Sequence, residues 1–271
     1  LVAETPSTQL KFLEQAVKAA PQYARAHLAI WEVCTEEEQH ARALAAAQAV
    51  PASSRFSRRA RFAAGLSLIH LQRWDDAFSA YKALLDESSS AAVYNNLGVI
   101  QARRGSVTAQ TGKPAWYFTR ASEAVPDSPD YFFNLGYAYW LDKDTPAAIY
   151  WLREVVRRRP ADGEAHFVLA AALQAAGNAV EGMRERDLAR QLSSRFDEWD
   201  TRPRDEGIGG VPRGLERASD AETSPVRVDS ALVSTTQQDH LQLARFHFDR
   251  GQRLAEQLQD REATSEFRKS L

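Results

Sequence analysis

The sequence predicts an all-α fold, a solenoid of stacked helical hairpins, on three observations. First, Tyr94-Asn95-Asn96-Leu97-Gly98-Val99-Ile100-Gln101 returns thirty-eight residues later as Phe132-Phe133-Asn134-Leu135-Gly136-Tyr137-Ala138-Tyr139. Second, each copy leads into another apolar segment closed by proline: Phe118, Ala121 and Pro126, then Ala148, Leu152 and Pro160. Third, one position in each first helix is held by Trp31, Gly65, Gly98, Gly136 and Ala170, at spacings of 34, 33, 38 and 34. A helix–turn–helix of this length cannot bury its apolar face alone, so stacking neighbours completes the core. The small residue lets two helices approach closely.

The elements follow in order. Residues 6–20 read as one amphipathic helix with Leu10, Leu13 and Val17 on one face. Thr5 is its N-cap and Pro6 its first helical residue, where a missing N–H costs nothing. Against the repeat, it is the second helix of a unit. The next unit begins near Ala24 and is degenerate, with Trp31 where glycine is expected; such bulk predicts an unusual crossing of its two helices. Gly65 and Leu68 mark a clearer unit, whose second helix opens at Trp74-Asp75-Asp76-Ala77 and carries Tyr81 and Leu84. The spacing of 38 places extra residues in the turn at 105–114, where insertions are tolerated. Ser128-Pro129 and Thr145-Pro146 each offer a hydroxyl N-cap followed by proline. The last full unit covers residues 163–195, with Leu169, Ala170, Leu173, Gly177 and Ala189.

Residues 1–198 thus form an array of about four and a half hairpins. Residues 199–236 are rich in glycine, proline and charge, a composition that predicts a flexible linker with one helical turn near Leu215. Periodicity resumes at 237–271, where His247, Gly251, Leu254, Ala263 and Phe267 match the start of another unit. A linker of about 37 residues spans roughly 30 to 37 Å. That reach allows the last helices to pack on either open end of the array or on a second molecule. Leu1 in place of methionine and Leu271 inside a helical pattern predict a piece of a larger, bacterial-looking protein.

Charge and composition narrow the function. With 34 basic and 36 acidic residues, there is no broad electrostatic case for nucleic acid or an anionic membrane. No apolar run approaches the roughly 18 to 20 residues that span a bilayer. Cys34 is the single cysteine, which fits the cytoplasm and fits a cysteine-poor periplasmic protein too. The six histidines show no metal-protease spacing, and His166 and His247 occupy packing positions of the repeat. Residues 105–113 have six residues between their glycines and no preceding strand, so they are no phosphate loop. Arg157, Arg158 and Arg159 end a helix, where cations meet the negative end of its dipole. The cluster of Arg55, Arg58, Arg59 and Arg61 is suited to acidic partners. No enzyme, cofactor or metal is expected.

Taken together, the aromatic, the leucine-glycine pair, the small-x3-bulky spacing and the terminal proline resemble the tetratricopeptide repeat. The resemblance covers residues 6–195 and 238–271. It implies a right-handed superhelix whose first helices line a concave groove, and a protein or peptide partner bound there. Position by position it points Asn95, Asn96, Val99, Ala102 and Arg103 inward, then Asp130, Phe133, Asn134, Tyr137, Trp140 and Leu141, then Glu164, Phe167 and Val168. Asn96 and Asn134 match a ladder of asparagines that in some members holds a peptide backbone; an amide donates and accepts at once. Ala63 and Val168 replace the other rungs, which argues against extended, sequence-blind binding. The lysines of a carboxylate clamp are lacking. Phe133, Tyr137 and Trp140 form an aromatic stripe suited to an apolar anchor or a partner helix. The expected function is a non-catalytic scaffold or adaptor. The alternatives are a regulatory or assembly region of a larger enzyme or cell-envelope or secretion protein, or an oligomerisation spacer.

Overall fold

Helix α1, Pro6–Ala19, leads into five hairpins that pack one on the next. The computed structural model describes residues 5–105, 112–201, 207–208 and 210–223; the expected unit at 237–271 and most of the 105–114 turn lie outside them. The hairpins are α2 (Ala24–Glu36) with α3 (His40–Gln48), and α4 (Ser57–His70) with α5 (Trp74–Glu87). Then come α6 (Ala91–Arg104) with α7 (Pro114–Ala124), α8 (Pro129–Leu141) with α9 (Thr145–Arg158), and α10 (Gly163–Ala175) with α11 (Ala179–Leu192). A short helix α12, Phe196–Thr201, packs at the end, and β1 (Gly207–Ile208) pairs antiparallel with β2 (Val211–Pro212). The degenerate unit is therefore a complete hairpin, and the array holds α1 and five hairpins where about four and a half hairpins were expected. Its Trp31 is buried and donates its indole N–H to Ser67 Oγ of the next unit at 3.0 Å, so the bulk joins two units.

Four of the five hairpins turn in the same way. Glu38, Gln72, Lys143 and Gly177 all have φ between 57° and 81°. The residue after each donates its N–H back into the helix: Gln39 to Cys34 O, Arg73 to Leu68 O, Asp144 to Tyr139 O and Asn178 to Leu173 O. This left-handed cap satisfies carbonyls that a helix end leaves open and fixes the angle at which the second helix leaves. The central hairpin departs from it: Gly105 takes the left-handed conformation and Gln101 Nε2 bonds Gly112 O at 2.8 Å across the longer turn. At the N-termini, Thr5 and Ser128 cap as expected. Thr145 does not: Asp144 accepts from Ala147 N–H and Thr145 is the first helical residue. A carboxylate faces the positive helix end, where it is favoured.

The conserved step has a steric cause. A Cβ on Gly98 would lie 2.6 Å from the Phe118 ring, and one on Gly65 would lie 2.7 Å from Tyr81. In these two units an aromatic of the second helix rests on the glycine of the first, so neither position accepts a side chain without displacing a ring. First helices touch across units, α2 with α4, α6 with α8 and α8 with α10.

Candidate functional site

The face of these first helices is occupied by the chain itself. Residues 211–223 run across α10, α8, α6 and α4, and asparagine amides hold their main chain. Asn134 accepts the Arg217 N–H at 2.8 Å and donates to Arg217 O at 2.8 Å. One unit back, Asn96 accepts the Ser219 N–H at 2.7 Å and donates to Ser219 O at 2.8 Å. Residues 217 and 219 are alternate positions of the segment, so each amide pairs with the N–H and C=O of one residue as a neighbouring strand would. Asn95 adds a second donor to Arg217 O at 2.8 Å and accepts from Asn134 Nδ2 at 2.7 Å. Below, Asn96 donates to Tyr81 Oη, which donates to Phe62 O. All three asparagines are 0% exposed.

The side chains of the segment are matched by charge. The Arg217 guanidinium meets Asp162 at 2.8 Å from both nitrogens, Asp130 at 2.9 Å and Glu164 at 3.1 Å. It also lies 3.8 Å above the centre of the Phe133 ring, a cation–π geometry. Glu216 turns the other way and sits 2.6 Å from Arg103 Nε, while Arg103 also donates to Gly214 O. Farther on, Glu222 is held by Arg58 at 3.2 Å and by Ser90, and Arg59 donates to Thr223 O. Tyr131 and Tyr137 contribute hydroxyls, to Ser219 Oγ at 3.2 Å and to Pro212 O at 2.9 Å. The apolar anchors are Val211 and Leu215, buried in the cluster that contains Phe167, Phe196 and Trp199.

Protonation follows this layout. Burial pushes the Asp162 and Asp130 carboxyls up, but hydrogen bonds and charge from Arg217 and Arg159 outweigh it and hold both below the ordinary aspartate value. For Glu216 burial wins over the opposing pull of Arg103, and its carboxyl is raised. Burial also pushes the Tyr137 hydroxyl up, which keeps it a neutral donor.

Comparison with known proteins agrees with this architecture. A family model described as "Tetratricopeptide repeat" matches residues 36–92, 62–110 and 117–163. Residues 36–110 and 117–163 are built of tetratricopeptide repeats. Curated protein sequences give no match. Among solved structures it is similar to PilW, a "widely conserved type IV pilus biogenesis factor", at 18% identity and a TM-score of 0.60 over 69% of this chain and 86% of that one. YrrB, "a TPR protein with an unusual peptide-binding site", is similar at 14% identity and a TM-score of 0.51, over 67% and 92%. MamA matches at 15% identity and 0.52, over 66% and 97%. At these identities the likeness is one of fold. Tetratricopeptide repeats serve generally as protein–protein interaction scaffolds, and that is the class to which this array belongs.

Within the repeat frame, the inward residues divide. Asn95, Asn96, Arg103, Asp130, Phe133, Asn134 and Tyr137 all touch residues 211–223. Val99 does not point into the groove but packs with Phe118, Leu135 and Ala138 between helices. Trp140 is buried in the apolar cluster of the last units, and Phe167 stacks against Phe196 and Trp199 of α12, so neither presents an open face. The aromatic stripe carries a cation on Phe133 instead of an apolar anchor, because three carboxylates surround that ring. Two ladder rungs, helped by Asn95, hold the main chain of Arg217 and Ser219. Nor is the first part of 199–236 without a buried core: Val211 and Leu215 are buried, and the compact unit extends over Leu1–Thr223. Helical spacing singled out neither Asp162 nor Glu164 as a charge partner, nor the segment they hold, whereas Arg58 of the basic cluster does meet an acidic side chain, Glu222. Among the described residues there is no helix long and apolar enough to cross a membrane.

Proposed function

We propose that the face of first helices is a peptide groove, and that this chain is a non-catalytic scaffold or adaptor which binds an extended stretch of another polypeptide by its main chain. The observation that carries the reading is the paired hydrogen bonding of Asn134 and Asn96 to the N–H and C=O of alternate residues. Amides used in this way engage any extended backbone and leave specificity to the side chains between them. The peptide-binding site named for YrrB is consistent with such use of the fold.

The experiment frees the groove first. In the full chain, Arg217→Ala with Ser219→Pro removes the guanidinium and one N–H that hold the segment. A fluorescent peptide of residues 211–223 is then titrated by anisotropy, beside the same peptide N-methylated at the positions of Arg217 and Ser219. The unmodified peptide is expected to bind and the N-methylated one to bind at least about tenfold more weakly, each lost hydrogen bond being worth about 1 kcal/mol or more. Equal binding of the two peptides, or none by either, overturns main-chain recognition.

A further inference from the structure

The occupant of the groove is part of this chain, and its side chains are recognised as individually as its backbone. Resting on the groove reading above, we propose that residues 211–223 are a tethered competitor, and that the external ligand they displace is an extended peptide presenting an arginine to Asp130, Asp162, Glu164 and Phe133. The charge pattern carries this. Without Arg217, the three carboxylates have Arg159 beside Asp130 at 2.8 Å and near Asp162 at 3.9 Å, and Arg195 3.5 Å from Glu164. Those two arginines are about half exposed and leave one carboxylate of the three without a matching cation. A guanidinium is planar, permanently charged and able to bond two carboxylates while lying on an aromatic ring; a lysine ammonium does only part of this.

The flanking positions extend the pattern. The residue before the arginine is acidic and meets Arg103, and the residue five after it is acidic and meets Arg58. Ser219, two after, pairs its main chain with Asn96, and its hydroxyl shares a hydrogen bond with that of Tyr131. A ligand of the form acidic–arginine–any–serine, with an apolar residue before the acid for the Leu215 position, fits the contacts made by residues 215–219. The competitor is mostly polar and its tether is short, so it gains its hold from a local concentration of about millimolar order as much as from its contacts. A free peptide with the same side chains binds only the fraction of molecules whose segment has left, so its apparent affinity is lowered by that fraction.

The test compares the parent full chain with the freed chain (Arg217→Ala with Ser219→Pro), using the 211–223 peptide and versions carrying lysine, citrulline or alanine at the position of Arg217. The freed chain is expected to bind the arginine peptide at least about tenfold more tightly than the parent does. Citrulline and alanine are expected to weaken binding by about 10- to 100-fold, and lysine by less. A second freed chain, Leu215→Glu, opens the groove from the apolar end and is expected to behave alike. Equal affinity for parent and both freed chains overturns the competitor. Equal affinity for arginine, citrulline and alanine peptides overturns arginine recognition even where N-methylation still weakens binding, so that outcome leaves the groove itself standing.

Discussion

Arg217→Ala is expected to detach residues 211–223 from the array without unfolding it. The Asp162 side chain is 6% exposed and Arg217 18% exposed, so the pair is largely out of water. Breaking such a pair by removing one partner costs about 3 to 5 kcal/mol, because the remaining charge is left buried. Asp130 and Glu164 are 42% and 28% exposed, and solvent screens their share. Even the lower figure of about 3 kcal/mol lowers the docking equilibrium about 100-fold. A glutamate-specific protease reads the change directly: Glu216 is buried in the parent, and the variant is expected to be cut there far faster while the helical array stays intact. Cleavage at the parent's rate would show that the guanidinium does not hold the segment. The sign with pH is mixed. The lowered Asp130 and Asp162 favour docking above the ordinary aspartate value of 3.8 and lose that contribution as pH falls through their lowered values. The raised Glu216 acts oppositely, since its buried charged form is penalised above its raised value.

Asn96→Asp is expected to be nearly as damaging, although it exchanges one NH₂ for one oxygen. The introduced carboxylate still accepts the Ser219 N–H, but nothing then donates to Ser219 O, and two oxygens face each other at the 2.8 Å now spanned by a hydrogen bond. An unpaired buried acceptor costs about 1 to 3 kcal/mol and a buried, unpaired charge adds to that. Acid should restore docking. A protonated carboxyl again offers one donor and one acceptor, so the variant's segment is held at low pH and released as pH rises through the raised value of the introduced group. Hydrogen exchange of residues 217–221 between pH 4 and 8 checks this. A variant whose segment is equally protected across that range would show that the amide's donor is dispensable. Asn134→Ala is expected to cost less, because Asn95 keeps a donor on Arg217 O.

The fold was legible because stacking imposes a period: a glycine under a large side chain of the unit's own second helix recurs, Gly65 under Tyr81, Gly98 under Phe118 and Gly136 under Leu152. The inward face was legible for Asn95 and Asn96, neighbours on α6, and for Phe133 and Asn134, which lie four and three residues before Tyr137 on α8. Val99, Trp140 and Phe167 satisfy the same spacing, yet face neighbouring helices or α12. Which flank of a helix is covered depends on its neighbours, and helical spacing alone does not carry that information. The occupant was not legible. Residues 211–223 read as part of a polar linker, and their order comes from asparagines and charges 53 or more residues away in sequence. The one local sign is Glu216-Arg217, opposite in charge to Arg103 and Asp130, and a charged pair in a polar stretch reads as a solvated surface until the partners are placed.

Residue-resolved amide exchange by NMR on the unaltered full chain tests the central claim most directly. Arg217 and Ser219 donate to buried asparagines, whereas Ala218 between them is exposed and donates to no described residue. Slow exchange at 217 and 219 with fast exchange at 218 is the expected result. Uniform exchange of all three at the rate of a free peptide would contradict a main chain held by the asparagines of the first helices.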